Sequence, residues 1–248
     1  MNEPLVRLDK VSKCFQIYQQ HKTLFRLGQS LLGGVPLKRE LWALREVSLE
    51  VKRGEKIGLI GKNGCGKTTL LRVLAGILDP TAGSVEVRSP LSVLFNYSLG
   101  LNPYLPVLDN IYLLGAVHGI LVSEVTNHIE EIVEFSGLRE LLYMQVKDLS
   151  AGQKQRLFFS VFAQTAADFL AFDESTTVAD MSFRKKAEGY FDRLMDSERT
   201  VIIASHEMKF ITRHCTRVIW MDSGRIKIDG APEETIGQFQ EFCLENKG

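Results

Sequence analysis

Residues 61–68 read GKNGCGKT, a glycine, four residues, then Gly66-Lys67-Thr68. That spacing suits phosphate binding. Glycines let consecutive backbone N–H groups turn inward around phosphate oxygens, and a helix start adds about half a positive charge. Lys67 is placed to reach β- and γ-phosphates, and the Thr68 hydroxyl to ligate Mg²⁺. Asn63, Gly64, Cys65 and Thr69 complete the cradle. Cys65 lies where positive potential makes a thiol more reactive, or it is simply a tolerated small residue. A second segment, DFLAFDES, is an apolar strand ending in Asp173-Glu174. A carboxylate there lies at the sheet edge where open α/β sheets bind ligands. Asp173 suits a Mg²⁺ hydration shell, and Glu174 suits polarising an attacking water. His206 ends TVIIASH in the same way, a candidate to contact a γ-phosphate and that water. His21, His118, His128 and His214 sit in amphipathic or loop sequence and draw no role.

The elements that must position these residues follow from periodicity. LVRLD (5–9) and EVSLEV (46–51) alternate like half-buried strands, and KIGLI (56–60) reads as a buried one. A helix is expected over 67–78, with short strands at 84–87 and 92–95. Residues 107–166 read as mostly helical, broken at Gly119, Gly137 and Asp148. Strand character returns at 168–172, 200–205, 217–221 and 225–229, and helices at 182–195 and 207–214 separate the first three. This alternation predicts an α/β fold with a parallel sheet and an inserted helical block. Between the first two strands, Leu24, Phe25, Leu27, Leu31 and Leu32 recur at helical spacing before Gly33-Gly34 and Pro36, predicting a short amphipathic helix over 21–34.

At 248 residues, 45% hydrophobic and 24% charged, the chain reads as an ordinary globular protein rather than a disordered one. Thirty basic and thirty acidic residues cancel, so no overall charge favours nucleic acid, and none is expected as a partner. Residues 1–45 are locally basic, either facing an anionic surface such as a cytoplasmic leaflet or forming a solvated face. Four scattered cysteines show no metal spacing and suit reduced thiols in a cytosolic protein. MNEPLVRLDK lacks the apolar core of a signal peptide, and no run reaches the roughly 20 apolar residues that cross a bilayer.

LSAGQKQRL (149–157) places Ser150 where it would cap a helix whose free amides could take up an anion. With the phosphate loop, acidic strand end and histidine, it makes the whole chain resemble the ATP-binding subunit of ABC transporters. That family's signature loop is LSGGQ, and Ala151 here replaces its first glycine. The extra methyl is tolerable unless residue 151 needs positive φ. By the same resemblance GKNGCGKT is Walker A, FLAFDE is Walker B with Glu174 as catalytic base, VAD ending at Asp180 is the D-loop, and His206 is the switch histidine. The resemblance implies a P-loop NTPase core with an antiparallel β subdomain and an inserted α-helical subdomain. Within one nucleotide-binding domain, 1–95 and 165–230 would form the core, 96–164 the helical subdomain and 231–248 a C-terminal helix. It further implies ATP and Mg²⁺, and a head-to-tail homodimer in which Ser150, Gly152 and Gln153 close the partner's phosphate loop. Phe15, or second Tyr18, would stack on adenine. One departure stands out. The loop from sheet to helical block normally carries a glutamine that senses γ-phosphate and contacts the membrane partner, but LSVLFNYSLGLNPYLP has none, and Asn96 is the nearest polar residue.

LGLNPYLPVLDNIYLLGAVHGI, SFRKKAEGYFDRL and CTRVIWMDSGRIKIDGAPEETI resemble the ATPases of O-antigen, capsule and teichoic-acid exporters. That implies an ATP-hydrolysing subunit on the cytoplasmic face of the plasma membrane, paired with a multispanning permease that moves a lipid-linked glycan. Residues 21–34 would then lie near the substrate entrance, and a chain ending at Gly248 would lack the carbohydrate-binding domain some relatives append. Two alternatives remain at this level. A soluble ABC-type ATPase acting on nucleic acid or ribosomes would usually bring two modules, coiled coils or basic arms. A non-hydrolytic regulatory module is opposed by Glu174 and His206 but kept open by the missing glutamine.

Overall fold

The computed structural model describes residues 3–18, 38–89, 91–94, 100–173 and 181–245, the side chains of residues 18, 38, 181 and 182 excepted. The insert at 21–34, Asn96, Glu174, Asp180 and the Tyr18 side chain lie outside the described residues. The chain runs β1 (Val6–Tyr18), β2 (Lys38–Val51), β3 (Lys56–Ile60), α1 (Lys67–Leu74), β4 (Ala82–Val87) and β5 (Leu91–Leu94). Helices α2 (Val107–Val117), α3 (Val122–Asn127), α4 (Ile129–Ser136) and α5 (Ala151–Phe162) follow. The rest is β6 (Phe169–Phe172), α6 (Met181–Met195), β7 (Thr200–Ala204), α7 (Met208–His214), β8 (Arg217–Asp222), β9 (Arg225–Gly230) and α8 (Pro232–Glu245).

Two sheets form. One is antiparallel with order β2-β1-β4, and the other has order β5-β6-β7-β3-β8-β9, parallel except for the β8–β9 hairpin. The strands expected at 5–9 and 46–51 prove much longer, because β1 and β2 pair from Val6↔Val51 to Tyr18↔Lys38. Register shifts between Leu8 and Cys14 exchange the faces of β1, and Lys10 and Glu46 take φ values of 48° and 51° there. Simple alternation therefore stops being visible after Asp9. The helix expected over 67–78 ends at Leu74 instead. Gly76 takes φ 68°, and Ile77 and Gly76 donate back to the carbonyls of Arg72 and Val73 at 2.9 and 3.1 Å, which closes the helix as a Schellman turn.

The central strands are apolar on both faces because both are covered. Ile57, Leu59, Phe169, Ala171 and Ile202 face a core shared with the antiparallel sheet and α1. Leu170, Phe172, Val201, Ile203 and Trp220 face the other side, where the helices pack. There Phe159 of α5 sits within 6.0 Å, centroid to centroid, of Phe135, Phe183, Tyr190 and Phe191, while Phe162 meets Phe172 at 5.3 Å. This aromatic cluster seats the helical block on the sheet.

At the head of α2, Asn110 is fully buried. Its Oδ1 accepts from the Asn102 amide at 2.7 Å, and its Nδ2 donates to the carbonyls of Asn102, Leu105 and Pro106 at 2.9 to 3.1 Å. One side chain thus ties together a loop that otherwise pairs with the short segment at 145–147. Asn110→Ala is expected to destabilise the protein by about 2–3 kcal/mol, because buried backbone groups lose their partners. Urea unfolding measures this, and an unchanged midpoint would refute the role.

Candidate functional site

Residues 61–66 turn between the buried strand β3 and α1. Lys67 is 6% exposed, and its Nζ donates to the carbonyls of Gly61 at 2.7 Å and Lys62 at 3.3 Å. Its charge is therefore held under the loop, while Lys62, Asn63 and Gly64 form an exposed bend. Gly66 takes φ 113°, and a Cβ there would stand 2.5 Å from the Ala43 carbonyl of β2, so no other residue fits without displacement. The β8–β9 turn holds the loop from another side. The Gly224 amide donates to the Cys65 carbonyl at 2.9 Å, and the Gly224 carbonyl accepts from the Arg45 amide at 2.8 Å. Sequence reasoning missed this clamp, although Ser223-Gly224, with φ 50° and 81°, is a recognisable two-residue hairpin turn. Cys65 is buried, its Sγ 4.0 Å from Lys67 Nζ. Thr69 lies half-buried in the first turn of α1.

The neighbouring strands β6, β7 and β3 end at the same edge. Asp173, 8% exposed, follows β6, and its Oδ2 accepts from Thr68 Oγ1 at 2.7 Å. A hydroxyl and a carboxylate in contact beside a phosphate-binding turn are the donor set Mg²⁺ takes when substrate phosphates and water supply the remainder. Past the end of β7, His206 Nε2 lies 3.0 Å from Asn63 Oδ1. The structure thus brings Asn63, Lys67, Thr68, Asp173 and His206 to one place, from sequence positions more than a hundred residues apart.

The signature segment stands on the helical block. Ser150 Oγ accepts from the Gln153 amide at 3.2 Å, and Gln153 Oε1 accepts from the Ser150 amide at 2.8 Å, a capping box. Ala151 opens α5 and is not among the positive-φ residues, so its methyl adds no backbone strain. A Cβ on Gly152 would meet nothing within 4 Å, so nothing described in this chain explains the choice of glycine there. Phe15 is half-buried on β1 opposite Leu41, with Lys13 Nζ 5.5 Å from its ring centroid.

Two of the hollows among the described residues lie beside helices. One of about 500 Å³ sits between α6 and α7. The other, about 870 Å³, runs along β5 between Ile77 and the end of α2. His118 in its wall packs edge-on against Phe158 and Phe162, and burial pushes its pKa down to about 4, keeping it neutral. Neither hollow includes the phosphate loop, so chemistry rather than volume locates the site. Among the described residues, no three His, Cys, Asp or Glu side chains cluster to hold a metal, and no helix is long and apolar enough to cross a membrane.

A family model described as ABC transporter matches residues 44–177. Along its whole length the chain is 35% identical to the teichoic acids export ATP-binding protein TagH of Levilactobacillus brevis, spanning 68% of that protein. It is 32% identical to TagH of Lactococcus lactis subsp. lactis over 97% of its own length and 52% of that relative's. The fold matches the dimeric ATP-binding cassette MJ0796, solved in a post-hydrolysis state with ADP and Pi, at a TM-score of 0.70 and 20% identity, covering 92% of this chain and 98% of that one. Gly66→Ala is expected to weaken ATP binding at least about tenfold, since a left-handed backbone costs a side-chain-bearing residue roughly 1–2 kcal/mol before the Ala43 contact is counted. Equilibrium titration with a fluorescent ATP analogue measures this, and wild-type affinity would refute the requirement for glycine at position 66.

Proposed function

Because the chain belongs to the ABC transporter family, we propose that it is the ATP-hydrolysing motor of an exporter for a lipid-linked glycan, teichoic acid being the cargo named for its relatives. The observation that carries the motor is the meeting of the phosphate loop, Asp173 and His206 at the ends of three adjacent strands. The cargo rests on similarity along the whole chain to export ATP-binding proteins.

In this reading Lys67 exchanges its contacts with the Gly61 and Lys62 carbonyls for β- and γ-phosphate oxygens, guided by the loop amides. Thr68 and Asp173 would hold Mg²⁺, which when bound neutralises charge developing on the phosphates. Glu174 takes a proton from the attacking water, and the His206 imidazole donates to the γ-phosphate. A second copy supplies Ser150, Gly152 and Gln153. The amides of Ala151 and Gly152 have no acceptor among the described residues, and the open space above Gly152 leaves room for a phosphate held between protomers. Asp180 belongs to the same interface, and Phe15 to the adenine side. After hydrolysis the dimer opens and pulls on a permease at the cytoplasmic membrane face, where residues 21–34 would meet the lipid-linked cargo.

We assign the 870 Å³ groove to an amphipathic helix of that permease. Its rim carries Ile77, Val117 and Leu121, each more than half exposed, and its lining includes Leu91, Ser92, Val93 and Gly100 of LSVLFNYSLGLNPYLP, the segment that by family resemblance meets the membrane partner. Exposed apolar side chains grouped around a hollow are what a docked helix covers.

Glu174→Gln is expected to bind MgATP, accumulate as a dimer on size-exclusion chromatography, and lose turnover by about 100-fold or more, the usual contribution of a general base. A variant that stays monomeric with saturating MgATP would sink the two-site scheme. Leu121→Glu is expected to abolish co-purification with the permease while ATP hydrolysis by the separate subunit stays within about twofold, as for most surface changes. Retained co-purification would place the partner elsewhere.

A further inference from the structure

We propose that Phe242 of the C-terminal helix α8 is a positioning residue for the phosphate loop: its ring holds the Lys62 ammonium and keeps the front of the loop in shape while nucleotide is bound. This rests on the reading above that the loop takes up ATP, with Lys67 and His206 turning to its phosphates.

Helix α8 packs on the sheet next to the strand that leads into the loop. Trp220 of β8, 2% exposed, pairs with Ile60, the last residue of β3, and its ring lies 5.5 Å from Phe239 and 5.1 Å from Phe242, centroid to centroid. From β9, Lys227 Nζ stands 3.6 Å from the Phe242 centroid and 4.3 Å from that of Trp220. These contacts seat the half-buried Phe242 ring against the sheet. Lys62, on the exposed bend of the loop, brings its Nζ to 5.1 Å from the same centroid. An ammonium within about 6 Å of an aromatic centroid is drawn to the ring's negative face. A lysine side chain that would otherwise turn freely in solvent is thereby restrained.

A contact changes affinity only by what it contributes more in one state than in the other. Residues 61–63 are held in part by groups that, in the reading above, turn to the nucleotide. Lys67 Nζ donates to the Gly61 and Lys62 carbonyls, and His206 Nε2 lies 3.0 Å from Asn63 Oδ1. Both side chains change partners when phosphates arrive. The Cys65 amide still donates to the Lys62 carbonyl at 3.2 Å, but from within the loop itself. Phe242 approaches from a separate element and holds no group that this reading gives to the phosphates. Its share of the restraint therefore grows once Lys67 and His206 have turned away, and the ring favours the nucleotide-bound state.

A double-mutant cycle on the full chain, read by equilibrium titration with a fluorescent ATP analogue and Mg²⁺, separates this role from simple packing. Phe242→Leu, apolar but without a ring, is expected to weaken binding about twofold to fivefold, the worth of a cation–π contact at an exposed site. In a Lys62→Met background the same change is expected to cost no further affinity, and Phe242→Tyr, which keeps the ring, to bind as wild type does. Should Phe242→Leu fail to fold, Phe242→Met carries the same expectation, because it fills a similar volume without an aromatic face. Equal losses in both backgrounds would mean that Phe242 acts by packing or through Lys227, and would overturn the proposal. Unchanged or tighter binding by Phe242→Leu would overturn it as well. A wild-type chain that does not bind the analogue would instead overturn the underlying reading of the loop as the ATP site.

Discussion

The ammonium of Lys67, 6% exposed, stays beneath the loop because the Gly61 and Lys62 carbonyls accept from it. A buried charge without such partners would cost several kcal/mol, so the loop and the lysine impose their shapes on each other. That mutual constraint reaches outward. Gly66 must pass close to the Ala43 carbonyl, Cys65 is tied through Gly224 to Arg45, and the antiparallel sheet and the β8–β9 turn become walls of the same cradle. The loop is thus held in one shape from several sides, with the Lys67 cation anchored to its carbonyls.

Most of this edge was legible in the residues themselves. The glycines, Lys67 and Thr68 announce their chemistry by spacing, and Asp173 and His206 by standing after apolar runs. What placed them together is the strand order, in which β7 lies between β6 and β3, and order is not written in any local pattern. The clamp through Gly224 was hidden for a similar reason. Its turn is visible, but that its two hydrogen bonds go to Cys65 and Arg45 depends on how the sheets pack. The full lengths of β1 and β2 escaped because register shifts interrupt the alternation that marks a strand. Asn110 escaped too, since nothing in its sequence context separates a buried loop-binding asparagine from a solvated one.

The helical block is built on a different logic. Phe159 and Phe162 bolt α5 to the sheet through an aromatic cluster, yet the first turn of the same helix is exposed and capped by Ser150 and Gln153. A helix firmly seated at its middle and bare at its N-terminus presents fixed amides to whatever approaches. Firm seating also means that this surface moves only with its whole block.

The β1–β2 hairpin acts over a longer distance. Its outer half pairs without interruption from Tyr18↔Lys38 to Cys14↔Trp42, immediately before the Ala43 carbonyl that confronts Gly66. At about 3.3 Å per residue this ladder spans roughly 15 Å, and bonded strands resist stretching along their axis. Residues 19–37 join its two outer ends. Continuous pairing thus ties the outer end of the antiparallel sheet to the strand residue that bounds the cradle.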